Sequence, residues 1–237
     1  MNRENNKWQN VWTRKGTENN SLDLQGLMKA DGFDTGTGAI SVEDWMKTSQ
    51  KIIKNLQISN HSKVLEVGCG AGAMLWPLRD TGAQLYGVDY SETLLCKAKQ
   101  ANPDIKTVAC EASALDLPSN MFDAVFSHGV FFYFHDYEYA EKTMNEILRV
   151  LNGTGKVFIL DIPDLAKRDD CEKYRRDVVY KGGEYPTAED SPYRHLYYSK
   201  SWFKDFGKKH NMRVTTSDQN LPSYPMAPYR FNALLEY

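Results

Sequence analysis

Val64-Leu65-Glu66-Val67-Gly68-Cys69-Gly70-Ala71-Gly72 decides the fold. Lys63–Val67 is a short apolar run of the kind that forms a buried strand, and it stops in three alternating glycines. Such a run lets the backbone turn tightly and leaves it open to a ligand. The alternation then repeats downstream. Residues 73–79 suit a short helix whose regularity Pro77 limits. Residues 84–88 read as a strand, and Ser91 caps a helix through Leu94, Leu95 and Ala98. Strands follow at 106–109 and 122–127, separated by a loop around Leu117-Pro118. Residues 139–151 carry helical spacing through Met144, Ile147, Leu148 and Leu151, and Gly153-Thr154-Gly155 turns into a strand over 156–161. Strand and helix in strict succession predict a parallel sheet covered on both faces.

Upstream, the first 40 residues are polar and glycine-punctuated, with Trp8, Trp12 and Phe33 as isolated apolar points. Ser41 then opens a helix with Val42, Trp45, Met46, Ile52, Ile53 and Leu56 on one face, and Ser41 with Asp44 resembles a capping pair. Downstream, residues 163–198 break the rhythm; they are charged, aromatic and turn-rich, as an insertion packed over the sheet would be. A helix at 201–209 and strands at 213–216 and 231–236 close the chain.

Composition narrows the function classes. The 237 residues are 41% hydrophobic and 25% charged, enough for a real core. Lys+Arg 29 against Asp+Glu 31 leaves a net charge of -2, so no general attraction to nucleic acid or anionic membrane is expected. No apolar run approaches the ~20 residues of a membrane span. The opening MNRENNKWQN is too polar for a signal peptide. Cys69, Cys96, Cys110 and Cys171 have neither metal-ligand spacing nor a dense disulfide pattern, so a cytoplasmic protein without a metal centre is expected. The 14 Tyr, 10 Phe and 5 Trp are an excess that needs a location.

Two acidic residues give the glycine loop a ligand. Asp89 ends the second strand about 20 residues beyond the loop, where a carboxylate accepts hydrogen bonds from ribose hydroxyls. Glu66 sits in the strand itself, partly buried, and needs a donor such as a ligand ammonium. A tight strand–helix connection without any ligand is the bland alternative.

VLEVGCGAGAMLWPL followed by YGVDYSETLL resembles motif I and the acidic loop of the class I S-adenosylmethionine-dependent methyltransferases. The similarity runs on through ACEASALDLPSNMFDAVFSHGVFFYF and EILRVLNGTGKVFILDIP, covering residues 61–162. It implies a Rossmann-like, doubly wound α/β sheet of seven strands, mostly parallel, with an antiparallel last strand. S-adenosylmethionine would be the cofactor. Gly68, Gly70 and Gly72, with Cys69 between them, would face its methionine portion, Asp89 and the adjoining Tyr90 its ribose, and Glu111 and Ala112 its adenine. Glu111 stands where many relatives carry Asp. Ser127 and His128 would adjoin the methionine part. One domain is expected over 1–237: an N-terminal lid or helical segment at 1–60, a cofactor-binding core at 61–162, an aromatic cap insertion at 163–200, and a C-terminal helix and strands at 201–237.

A sulfonium methyl is already activated, so aligning the acceptor is the main task, worth ~7–11 kcal/mol in favourable cases. Deprotonating a hydroxyl or ammonium acceptor calls for a general base, for which His128, His135, Asp161 and His195 are candidates. Each has a second reading: His128 packing on or bonding the methionine part, His135 as a surface residue, Asp161 as a solvated strand end, His195 in a structural aromatic cluster. The aromatics gather at 131–139 and 193–203, as core or as a platform for the acceptor, with Tyr133 and Tyr197 as test positions. Arg175, Arg176 and Arg194 are candidate holders of an acidic or phosphorylated acceptor, or plain solvated arginines. Outside the core, GFD, HLYY and YRFNALLEY resemble small-molecule methyltransferases of bacterial polysaccharide and natural-product pathways. That resemblance implies a small-molecule partner, with O-methylation of a sugar or sugar nucleotide as the first expectation. An N-methyltransferase for a small amine and a non-catalytic nucleoside-binding protein are the alternatives; oligomeric state is open.

Overall fold

The computed structural model describes residues 7–18, 21–34, 36–181, 183, 185, 187 and 191–237. The polar opening at 1–6 and positions 182, 184, 186 and 188–190 of the expected cap lie outside the described residues. Seven strands form one sheet: β1 (Lys63–Val67), β2 (Gln84–Asp89), β3 (Lys106–Ala109), β4 (Phe122–His128), β5 (Leu151–Pro163), β6 (Arg213–Asp218) and β7 (Arg230–Glu236). Their order is β3-β2-β1-β4-β5-β7-β6. Strands β1 to β5 pair parallel, and β7 runs antiparallel to both β5 and β6. This is the mixed, doubly wound sheet that the alternation predicts. The direction of winding reverses between β1 and β4, so their carboxyl ends part to leave a crevice.

The helices are α1 (Lys7–Thr17), α2 (Leu24–Ala30), α3 (Val42–Leu56), α4 (Leu75–Leu78), α5 (Glu92–Ala101), α6 (Tyr137–Val150), α7 (Arg168–Tyr174) and α8 (Lys200–Lys209). Their starts are set locally. The Ser41 hydroxyl accepts from the Asp44 N–H, Ser91 from Leu94, Asp136 from Tyr139 and Ser199 from Trp202, each satisfying a backbone donor that the first turn leaves unpaired. Strand residues alternate between two cores. Val64, Phe126 and Phe158 join Trp45 and Ile52 of α3 on one face. Leu65, Val125 and Val157 join Met144 and Ile147 of α6 on the other. Each such fully buried side chain contributes about 1.5–3 kcal/mol.

Several expectations change. Met46 points to solvent, and the buried face of α3 carries Asp44, Thr48 and Ser49 instead. The partner of Asp44 is the remote Ser223, whose N–H and hydroxyl both donate to its carboxylate, so the capping pair is one-sided. Strand β5 begins at Leu151, before Gly153 to Gly155, and its register on β4 shifts there: Leu151 pairs with Phe122 but Lys156 with Ala124, so residues 152–155 form an irregularity within the strand. The polar, glycine-punctuated first 40 residues contain α1 and α2. Gly16 of α1 lies so close to Thr93 that a side chain there would overlap it, and Thr93 Oγ1 donates to the Thr13 carbonyl at 2.9 Å. Helix α1 is thereby docked onto α5. After β5, α7 passes into a π-helical turn at Arg175–Val179 that the turn-rich composition did not suggest.

Candidate functional site

The carboxyl ends of β1, β2 and β4 meet at a pocket whose floor is the glycine loop. The N–H groups of Gly68 and Cys69 both donate to the Val88 carbonyl, at 2.8 and 2.9 Å, which folds the loop back over β2. Asp89 braces it further: Oδ2 accepts from Gly70 N–H at 3.0 Å and Oδ1 from Ser91 N–H at 2.8 Å. A residue that the sequence pattern passed over completes the brace. Asp31, just after α2, accepts from Ala71 N–H at 2.6 Å and Ala73 N–H at 3.2 Å. Gly70 has φ +52, and a Cβ there would overlap the Asp31 carboxylate, so only glycine fits.

Three carboxylates therefore face one small volume. Glu66 is 3% exposed and its Oε2 has no hydrogen-bond partner. Burial, reinforced by Asp31 and Asp89, raises its pKa well above the ordinary value. Burial likewise raises Asp31 to about 7, against the lowering effect of its two backbone bonds, and Asp89 to about 6. An orphaned buried carboxylate flanked by two others is a site for a cationic ligand. S-adenosylmethionine, with its ammonium and sulfonium groups, fits that requirement.

Of the residues expected at the cofactor, Glu66, Gly68, Cys69, Gly70, Asp89, Tyr90, Glu111, Ala112 and His128 line this pocket. Two do not. Gly72 faces Ala98 of α5, and the Ser127 hydroxyl is spent on the Val67 carbonyl at 2.8 Å. Glu111 is held from both sides, by Gln9 Nε2 of α1 and by the Tyr139 hydroxyl, each at 2.7 Å. Trp12 of α1 also stands in the wall. The free space is about 90 Å³, below the ~300 Å³ at which small-molecule sites begin.

The base candidates separate. His128 is buried, its ring against Phe33 and Trp45, and its Nε2 has no partner. Burial lowers its pKa, so the ring is neutral at pH 7. His135 is at the pocket rim but exposed, 3.4 Å from Asp136. Asp161 is 1% exposed and lines neither cavity. It lies at φ +58 within an irregularity of β5, where Tyr224 Oη donates to Oδ2 at 2.9 Å and Arg230 Nε lies 3.6 Å from Oδ1. Those partners make it an anchor and not a free base.

A second cavity, of about 430 Å³, opens beside the first and shares Asp31, Phe33 and Tyr133 with it. Rings of Trp8, Phe132, Tyr133 and Tyr193 line it, with His195, Arg175 and Arg230. Trp8 and Tyr133 are 4.6 Å apart between centroids, and Phe132 and His195 4.8 Å. Arg175 Nη1 lies 2.6 Å from His195 Nδ1. A guanidinium only donates, so Nδ1 is the acceptor and Nε2 carries the proton. Burial and the two arginines lower the His195 pKa well below the ordinary value, and this tautomer removes it from the base candidates. Tyr197 lines neither cavity; its hydroxyl donates to Glu172 at 2.5 Å, as does that of Tyr185. Arg176 and Arg194 are exposed, whereas Arg175 is buried. The aromatic excess thus divides: Phe131, Tyr198, Phe203 and Phe231 are among those in the core, and Trp8, Phe132, Tyr133 and Tyr193 are among those that wall this cavity.

Residues 65–159 match the family described as methyltransferase domain. Among curated proteins, the demethylmenaquinone methyltransferase of Renibacterium salmoninarum is 26% identical over 132 residues, 56% of this chain and 54% of that protein. The phosphoethanolamine N-methyltransferase of Plasmodium falciparum is 23% identical over 177 residues, 73% of this chain and 65% of that protein. The chain spans about half the length of the demethylmenaquinone methyltransferases it matches. Among solved structures, phosphoethanolamine N-methyltransferase 1 of Haemonchus contortus, in complex with phosphoethanolamine and S-adenosylhomocysteine, superposes with a TM-score of 0.65 at 14% identity, over 100% of this chain and 50% of that one. The sequence match falls on β1 to β5 and includes the glycine loop, and the superposition shows the same fold: residues 65–159 match a methyltransferase-domain family, and the chain is folded like the Haemonchus contortus enzyme.

Proposed function

We propose that the protein transfers a methyl group from S-adenosylmethionine to a hydroxyl or amine of a small molecule. The single observation that carries the reading is the orphaned Glu66 carboxylate, grouped with Asp31 and Asp89 over the glycine loop. S-adenosylmethionine supplies an electrophilic methyl on a sulfonium. The chain's own part is positional. Glu66 and Asp31 hold the cationic end, Asp89 takes the ribose hydroxyls, and Glu111 borders the base. Neutral His128, with Nε2 unpartnered, accepts a proton from the acceptor. The second cavity receives the acceptor through Tyr133, whose ring belongs to both walls.

For the acceptor, the aromatic lining supports a sugar or similarly flat-faced molecule packed against rings. The similarity to phosphoethanolamine N-methyltransferases supports a second reading, a small amine. Calorimetry of the intact chain with S-adenosylmethionine and S-adenosylhomocysteine tests the common part. Binding at one site is expected, weakened at least about tenfold by Asp89→Ala, which loses charge-assisted bonds. No binding by the wild-type chain sinks the reading. A methyl-transfer screen over sugar nucleotides, sugars and primary amines then separates the two acceptor classes.

A further inference from the structure

We propose that Arg175 and Arg230 form an anion subsite in the second cavity, which holds a phosphate or carboxylate group of the acceptor; the proposal rests on the methyltransferase reading above. Both side chains are 2% exposed, and both line the cavity. Arg175 Nε and the Nε and Nη1 atoms of Arg230 are buried without a hydrogen-bond partner. A guanidinium is permanently charged and offers donors in a planar fork, and leaving those donors unpaired in a low-dielectric site is costly. Oxyanions match that fork.

The protein's own acids do not meet the demand. Among the described residues no carboxylate lies within ion-pair distance of Arg175; its one side-chain hydrogen bond goes to neutral His195. Arg230 has Asp161 Oδ1 at 3.6 Å, an ion pair beyond hydrogen-bond distance, and the other oxygen of that carboxylate accepts from Tyr224. The ring of Phe132 lies 4.8 Å from the Arg230 guanidinium, and the ion pair with Asp161 balances its charge without occupying the Nε and Nη1 donors. Among the described residues Asp31 is the one acid in the cavity wall, and it is turned toward the glycine loop. The protonated His195 Nε2 and the unpartnered hydroxyl of Thr187 add neutral donors to the same wall. Basic donors on this side and acidic acceptors on the other give the acceptor a polarity: its anionic end sits by Arg175 and Arg230, and its nucleophilic end points past Tyr133 to the methyl donor.

Titration calorimetry tests this on the intact chain, with inorganic phosphate and acetate as separate probes and S-adenosylhomocysteine as an independent one. At least one of the two anions is expected to bind at one site, and Arg175→Gln is expected to weaken it by about tenfold, the loss of a charge-assisted contact. S-adenosylhomocysteine affinity should stay within about twofold in that variant. Arg175→Lys, which retains charge but not the fork, should fall between the two. Phosphate preferred over acetate assigns the group as phosphate, and the reverse as carboxylate. Binding of neither anion, or anion binding unchanged in Arg175→Gln, overturns the subsite while leaving the methyltransferase reading intact. Failure of wild-type protein to bind S-adenosylhomocysteine overturns that reading instead. Arg230→Gln serves as a second variant, with S-adenosylhomocysteine affinity as its check on folding.

Discussion

The two cavities meet at Asp31, Phe33 and Tyr133, yet they are built on opposite electrostatic plans. The first is acidic, and its carboxylates brace a backbone loop through Gly70, Ala71, Ala73 and Ser91 N–H groups. The second is basic and aromatic, and its arginines keep donors unspent. The contrast teaches how one sheet edge sorts two ligands. On the proposed reading a cation is drawn to the first side and an anion to the second, and each side disfavours the other's ligand.

Gly70→Val attacks the acidic side most directly and should have the largest effect. A β-branched residue at φ +52 must also displace the Asp31 carboxylate, so S-adenosylhomocysteine affinity should fall more than about 100-fold. Calorimetry reads it, and an affinity within tenfold of wild type contradicts the geometry of the brace.

A smaller effect comes from pH. Asp31 and Asp89 are raised to about 7 and about 6, chiefly by burial, so the ligand-free pocket takes up protons as pH falls through that range. A cationic ligand needs the ionised forms. Affinity for S-adenosylmethionine should therefore climb from pH 5 to about 7 and level off above it, and Asp31→Asn should lower the plateau by about tenfold and flatten the upper part of the rise. The ligand-free fold should show the reverse trend. It binds more protons than the unfolded chain between the ordinary 3.8 and about 7, so these two groups make stability fall as pH rises across that window. Thermal melts with and without ligand check both signs.

The comparison is sharpened where the cavities join. Tyr133→Ala should raise the acceptor KM by about tenfold, because it removes a stacked ring from the second wall, with a smaller change in cofactor affinity. His135→Ala should change either constant by less than about twofold, since the side chain is 63% exposed and meets neighbouring Asp136 and the ring of Tyr139 at the rim. Steady-state kinetics on both variants tests the pair; an equal loss in each would erase the distinction between wall and rim.

The acidic side was largely legible along the chain. Glu66, the glycines and Asp89 fall within one strand–turn–helix–strand unit, where hydrophobic alternation and glycine spacing fix both the elements and the ends from which their side chains emerge. Local rules also gave the helix starts at Ser41 and Ser91. Asp31 was not legible, because nothing in its neighbourhood distinguishes a brace for the loop 40 residues away from an ordinary residue after a helix. Helices α1 and α2 were missed for a related reason. Their polar sequence has weak periodicity, and their stability comes from docking on α5 and over the pocket, not from propensity.

The basic side belongs almost wholly to tertiary structure. Arg175 enters from the π-helical turn after α7, Arg230 from the start of β7, and Trp8 from α1, so three remote segments make one wall. Sequence offered Arg175, Arg176 and Arg194 as equals, and passed over Arg230. Burial alone separates them, and burial is a property of the packed molecule. The succession of strands and helices, the glycine loop, Glu66 and Asp89 were written in the sequence because hydrophobic alternation and glycine spacing are local. The polarity of the acceptor cavity was decided only when distant segments closed over the sheet, where desolvation gives a charge its value.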